Sequence, residues 1–278
     1  MSFYKLRSII IASLALLLFL TPMFAPKVEA ATVSGKWVPD HYIALFFSHM
    51  VYDGQQAVFV GQSPTGKMLN GTYSPKFNNS WKDIHAKGLY TKYTPASFGN
   101  AIGAGKYKMY AALSHPKTNF YGAIYREGTS NRYVVAFAGT NTSDSGDWFS
   151  DGQIGVGKYG GPDQIQQAEA LLKKLPKNAQ VVFTGHSLGG YIASTMALKT
   201  GNPAITFNAP GYVSFAMFGT LFSKNKKYVV NHEILKDPVS TFGYRPGKEN
   251  FYGTLKEKGR FGSNYHTIKN FYGYALKQ

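Results

Sequence analysis

The sequence predicts a single α/β domain: a mostly parallel central sheet with helices on both faces. Three observations predict it. Short β-branched and aromatic runs alternate with helical patterns from Met109 onward, and two of those runs, Val181–Thr184 and Ala204–Phe207, enclose a helix from about Leu188 to Lys199. The third is Gly185-His186-Ser187-Leu188-Gly189, which stands where the first of those strands meets the helix. Strand, helix and strand in so short a span make a βαβ unit, whose strands are parallel.

At the N-terminus, Lys5 and Arg7 precede an apolar run from Ile9 to Leu20, which Thr21-Pro22 breaks before Ala30-Ala31. That is the pattern of a signal peptide cleaved after Ala30. The run spans only ~18 Å as a helix, against the roughly 30 Å of a bilayer core. The expectation is a leader at residues 1–30 and an exported, extracellular domain at 31–278. The chain has no cysteine, so neither disulfides nor thiolate-bound zinc can hold it, and export without disulfides points to a bacterium.

Trp37 to Asp53 reads as a helix, with Ile43, Phe46, Phe47, Met50 and Val51 at helical spacing. Residues 54–108 are rich in Gly, Pro, Asn, Ser, Lys and Tyr and predict an irregular insertion or cover. Phe120–Arg126 and Arg132–Ala138 flank a turn-forming stretch and predict a hairpin. After a polar loop from Gly139 to Gly161, Pro162 opens a helix carrying Ile165, Ala168, Leu172 and Leu175 on one face, and Pro176 stops it. Asn-Phe-Tyr-Gly recurs at 119–122, 250–253 and 270–273, but its irregular spacing defines no repeat.

The net charge is +16. Such a charge favours anionic membranes or wall polymers as peripheral contacts. No basic helix or stacking motif points to nucleic acid. No metal or organic cofactor is expected. His232-Glu233 fails the zinc pattern because Lys236 stands where a second histidine is needed.

The pentapeptide around Ser187 matches G-x-S-x-G, a weak signal alone in a chain with 30 glycines. Its setting between strand and helix gives it meaning: the serine occupies a strained turn, and the flanking glycines remove side chains that would clash. The expected architecture is therefore the α/β-hydrolase fold. There the order of partners is Ser, then an acid, then His. After Ser187 the one aspartate is Asp237, and of His232 and His266 only His266 follows it. Glu233, Glu249 and Glu257 are alternative acids, beside a strand or in loops. In this scheme His266 takes the Ser187 proton, Asp237 orients the imidazole, and the Leu188 N–H is one oxyanion donor. Gly139-Thr140, after the strand Arg132–Ala138, is the candidate for the second.

These residues resemble the class 3 lipase family of fungal triacylglycerol lipases and bacterial relatives. The resemblance rests on Val135-Ala136-Phe137-Ala138-Gly139-Thr140, Asp147-Trp148-Phe149-Ser150-Asp151, Val182 through Gly190, Phe207-Asn208-Ala209-Pro210-Gly211, Lys236-Asp237-Pro238-Val239 and His266, in the family's order. It implies a Ser187–Asp237–His266 triad, an oxyanion role for the Thr140 N–H and hydroxyl, and cleavage of lipid or other carboxylic esters through an acyl-enzyme. It also places the start of a lid at Asp147-Trp148. Two departures stand out: Ala138 replaces a frequent arginine, and the stretch from Thr140 to Ser187 is shorter and more polar than in the fungal enzymes, with no amphipathic lid at Gly152–Gly161. Two other functions share these residues. One is a surface-binding protein that kept the fold and lost the reaction; the other is a peptidase or amidase using the same triad. Oligomeric state is not legible in the sequence.

Overall fold

The computed structural model describes residues 32–59, 104–139, 162–213, 219–253, 263–274, 276 and 277. The expected leader, most of the expected cover (60–103), Thr140, the Asp147-Trp148 segment and Glu257 lie outside them.

A two-stranded hairpin, β1 (Thr32–Val33) with β2 (Lys36–Trp37), precedes helix α1 (His41–Phe59). The helix thus starts later than Trp37. Pro39 stands at the break, and Asp40 caps the helix: its carboxylate accepts the Tyr42 N–H at 2.7 Å and its carbonyl accepts those of Ile43 and Ala44. The helix also runs past Asp53, so residues 54–59 are not irregular as expected. Gly54 continues it without a Cβ, in space the Tyr121 hydroxyl fills. At the other end of that stretch, a 3₁₀ turn (Ala104–Lys106) leads into β3 (Tyr107–His115).

Among the described residues the main sheet has seven strands in chain order: β3, β4 (Phe120–Glu127), β5 (Arg132–Phe137), β6 (Gln180–His186), β7 (Ala204–Phe207), β8 (Val229–Ile234) and β9 (Lys248–Tyr252). The first three are antiparallel, including the expected hairpin, and β5 through β9 are parallel. The sheet is therefore mostly parallel, as the βαβ unit requires. Strand β9 contradicts the reading of Glu249 as a loop residue. Its Lys-Glu-Asn-Phe-Tyr sequence lacks the apolar run of an inner strand, because it is the edge of the sheet.

Helices α2 (Pro162–Leu172) and α3 (Leu188–Thr200) cover one face of the sheet and α1 the other. Alternation along β5 divides the core. Val134 and Ala136 join Phe46, Phe47, Val182, Ile205 and Phe207 beneath α1. Val135 and Phe137 join Phe183, Ala168, Leu171, Ile192 and Met196 beneath α2 and α3. Each fully buried large side chain contributes about 1.5–3 kcal/mol, so both layers fix the height and tilt of the sheet edge where β6, β7 and β8 end.

Candidate active site

Strand β6 ends at His186 and α3 begins at Leu188, leaving Ser187 alone on the turn with φ 58° and ψ −132°. A non-glycine residue rarely adopts this conformation, which costs on the order of 1–3 kcal/mol. Its neighbours enforce it. A Cβ at Gly185 would collide with the Gly189 backbone, and one at Gly189 with the Phe137 carbonyl. The Ser187 N–H is held by the Phe207 carbonyl at 3.0 Å, and the Ser187 carbonyl accepts the first helical bonds of α3, from Gly190 and Tyr191. Leu188 is buried at the first position of α3, where backbone N–H groups lack helical acceptors and the helix dipole favours negative charge.

The other two nominated side chains meet Ser187. His266, the last residue of the one-turn helix α4 (Ser263–His266), lies with Nε2 2.8 Å from the Ser187 Oγ. Its Nδ1 lies 3.1 Å from both carboxylate oxygens of Asp237. Asp237 stands in the turn after β8 and is fully buried; Oδ1 also accepts the Val239 N–H at 3.1 Å and Oδ2 the Ser240 N–H at 3.2 Å. With Nδ1–H directed at the carboxylate, the neutral ring presents an Nε2 lone pair to the serine hydroxyl.

The alternatives are engaged elsewhere. Glu233 pairs with Arg245; burial pushes its carboxyl up to about 8, against the pull of that guanidinium. Glu249 lies 3.4 Å from the same arginine. His232 is buried between His41, whose Nδ1 is 2.8 Å from its Nε2, and the Tyr252 hydroxyl at 2.6 Å from its Nδ1. Burial first, then His41 and Lys248, hold its pKa well below the ordinary value. Among the described residues no group of His, Cys, Asp and Glu could hold a metal ion.

Four neighbours of the site, Asn208, His186, Tyr52 and Gln55, carry no role in the sequence reading. Asn208 donates to the Tyr265 carbonyl at 3.0 Å and accepts the Ile234 N–H at 2.9 Å, tying the turn of Asp237 to the segment of His266. His186 Nε2 lies 2.6 Å from the His266 carbonyl, and the Tyr52 hydroxyl lies 3.0 Å from His186 Nδ1. Both Asn208 and His186 belong to the blocks that carry the family resemblance, which was the available signal. Gln55 donates to the Gly139 carbonyl at 3.2 Å, and nothing in its sequence context marks it.

A mostly parallel sheet with a strand–serine–helix elbow at its carboxyl edge defines a chain of the α/β-hydrolase fold. A family model of phospholipase-like proteins, the Tle-like phospholipase domain, matches residues 65–240. The chain belongs to that family, and the resemblance to lipases read from the sequence is borne out. An extracellular phospholipase A1 of Serratia liquefaciens is 38% identical over 111 residues, which cover 38% of this chain and 32% of that protein. The chain thus matches about a third of the length of that relative. Among solved structures, the native Rhizomucor miehei lipase propeptide complex is similar at 13% identity and a TM-score of 0.44, over 87% of this chain and 82% of its own. The lipase of Rhizopus microsporus var. chinensis is similar at 15% identity and a TM-score of 0.42, over 86% of this chain and 83% of its own.

Proposed function

We propose that this chain is a secreted serine hydrolase that cleaves the acyl esters of lipids, phospholipids first among them. The observation that carries the reading is the Ser187 hydroxyl, held at a strained elbow 2.8 Å from an imidazole whose other nitrogen faces a buried carboxylate. Membership of a phospholipase-like family and the partial match to an extracellular phospholipase A1 support lipid esters and export. In this mechanism His266 Nε2 takes the Ser187 proton as Oγ attacks the ester carbonyl, forming the tetrahedral intermediate. The Leu188 N–H, and that of Thr140 on the family's pattern, stabilise its oxyanion. As the carbon–oxygen bond breaks, the imidazolium returns the proton to the leaving alcohol and an acyl-Ser187 remains. Water, deprotonated by the same imidazole, then releases the acid. Asp237 stays ionised and stabilises the imidazolium.

Purified protein should hydrolyse p-nitrophenyl butyrate and phospholipid vesicles, and Ser187→Ala should remove both activities while leaving the circular dichroism spectrum unchanged. Undiminished turnover in that variant would overturn the proposal. Covalent labelling of the wild type by a fluorophosphonate probe separates a working hydrolase from a surface-binding protein with an inert site.

A further inference from the structure

His266 sits on a helix of a single turn, too short to hold itself in place. Its side chain is occupied by Ser187 and Asp237, so its backbone must be anchored by other groups. Two consecutive carbonyls of this segment, Tyr265 and His266, accept hydrogen bonds from Asn208 and His186, residues at the ends of β7 and β6. His186 is 6% exposed. Its Nε2 faces an oxygen that can only accept, so Nε2 carries the hydrogen, and in the neutral ring Nδ1 is then the acceptor. Tyr52 of α1 supplies the matching O–H at 3.0 Å. Burial foremost, and the neighbouring His266 and His49, hold the His186 pKa well below the ordinary value, so the ring stays neutral and its tautomer fixed.

The same phenol reaches the other side of the nucleophile. The Tyr52 hydroxyl also lies 3.3 Å from the His186 carbonyl. A Cβ at Gly139 would collide with that hydroxyl and come within 2.9 Å of the His186 carbonyl and 3.3 Å of Ser187 Cβ. Hydrogen bonds therefore run beside Ser187 from Tyr52 through His186 to the His266 carbonyl, and the Tyr52 hydroxyl leaves Gly139 no space for a Cβ.

Building on the hydrolase reading, we propose that Tyr52 and His186 are a positioning pair, which fixes the backbone of His266 beside Ser187 and so keeps the imidazole aligned with the hydroxyl. The His186 ring also packs against that of His266, with centroids 4.7 Å apart, and in this role neither residue of the pair takes or gives the proton. Their effect is on kcat for each folded site.

The test compares wild type, His186→Leu, His186→Gln and Tyr52→Phe in full-length protein, with p-nitrophenyl butyrate as substrate and reactive serines counted by a fluorophosphonate probe. Counting matters because a purely structural defect lowers the number of titrated sites and leaves the turnover of each unchanged. His186→Leu should lower kcat per titrated serine about tenfold, equivalent to about 1.4 kcal/mol, with KM within about twofold. His186→Gln, which can again donate to the His266 carbonyl, should recover to within about threefold of wild type. Tyr52→Phe keeps the ring, removes the hydroxyl and should lower kcat at least threefold, by about 0.65 kcal/mol; it decides the question if His186→Leu fails to fold. Turnover per serine equal to wild type in His186→Leu or Tyr52→Phe, or His186→Gln as impaired as His186→Leu, overturns the pair. A wild type that neither turns over ester nor takes the probe overturns the hydrolase reading, and the pair's role with it.

Discussion

Asp237 uses each carboxylate oxygen twice, once for the His266 ring and once for a backbone N–H of its own turn. A neutral amide in its place would have to offer N–H to an imidazole hydrogen or to a backbone donor. Asp237→Asn should therefore fold and bind substrate, yet lose on the order of 10⁴ in kcat because the imidazole is held in the wrong tautomer; steady-state kinetics of the purified variant check this. His266→Ala should match Ser187→Ala in loss, because groups acting as a unit fail together. His232→Ala should keep turnover for each titrated serine, since its ring contacts His41, Phe207 and Tyr252. A lethal His232→Ala with an active His266→Ala would reverse the assignment. Ser187, Asp237 and His266 are legible in sequence because residue order leaves one aspartate and one following histidine. The anchoring by His186 and Asn208 is not, because each acts on a backbone carbonyl, and any residue type supplies that acceptor.

Among the elements, the elbow leaves no room for added atoms. Gly189 faces the Phe137 carbonyl with no space for a methyl group, whereas Gly219 has nothing within 4 Å of where its Cβ would lie. Gly189→Ala should cost at least about 2 kcal/mol, seen as a melting temperature lower by about 4–8 °C for a domain of this size. Gly219→Ala should leave the melting temperature unchanged. Elements with both ends marked were readable: α3 lies between the Ser187 turn and Gly201 at φ 74°, and the hairpin of β4 and β5 closes over Gly128. Helix α1 was displaced because apolar spacing continues across Trp37 and Val38, while the cap at Asp40 outweighs it locally. Strand β9 was missed because an edge strand buries too little to impose a pattern; Phe251 within it is 45% exposed.

At the scale of the molecule, stability should depend on pH through imidazoles buried without charge. His41 is lowered to about 4, by burial first and then by Lys248, against the pull of the Lys277 backbone; His232 is lowered well below its ordinary value. Their unfolded counterparts titrate near 6.5. Between those values the unfolded chain binds protons that the folded chain refuses. The contribution of these imidazoles is thus fully present above about pH 6.5 and declines as pH falls toward 4, by up to about 1.4 kcal/mol per pH unit for each, while Glu233, its carboxyl pushed up to about 8, acts in the opposite direction over the same range. Urea unfolding at pH 7, 6, 5 and 4 measures this. A His41→Phe/His232→Phe variant should show a shallower decline, and an equal decline would place the proton uptake elsewhere.

The strictly sequential strand order has a temporal consequence. Each new strand joins the edge left by its predecessor, so the sheet can grow by accretion in the direction of synthesis. Ser187 is laid down with β6, Asp237 arrives only after β8, and His266 only after β9. On the proposed mechanism, a nascent chain that has completed β7 holds the serine without its partners, and hydrolysis would begin only when the last arrivals dock.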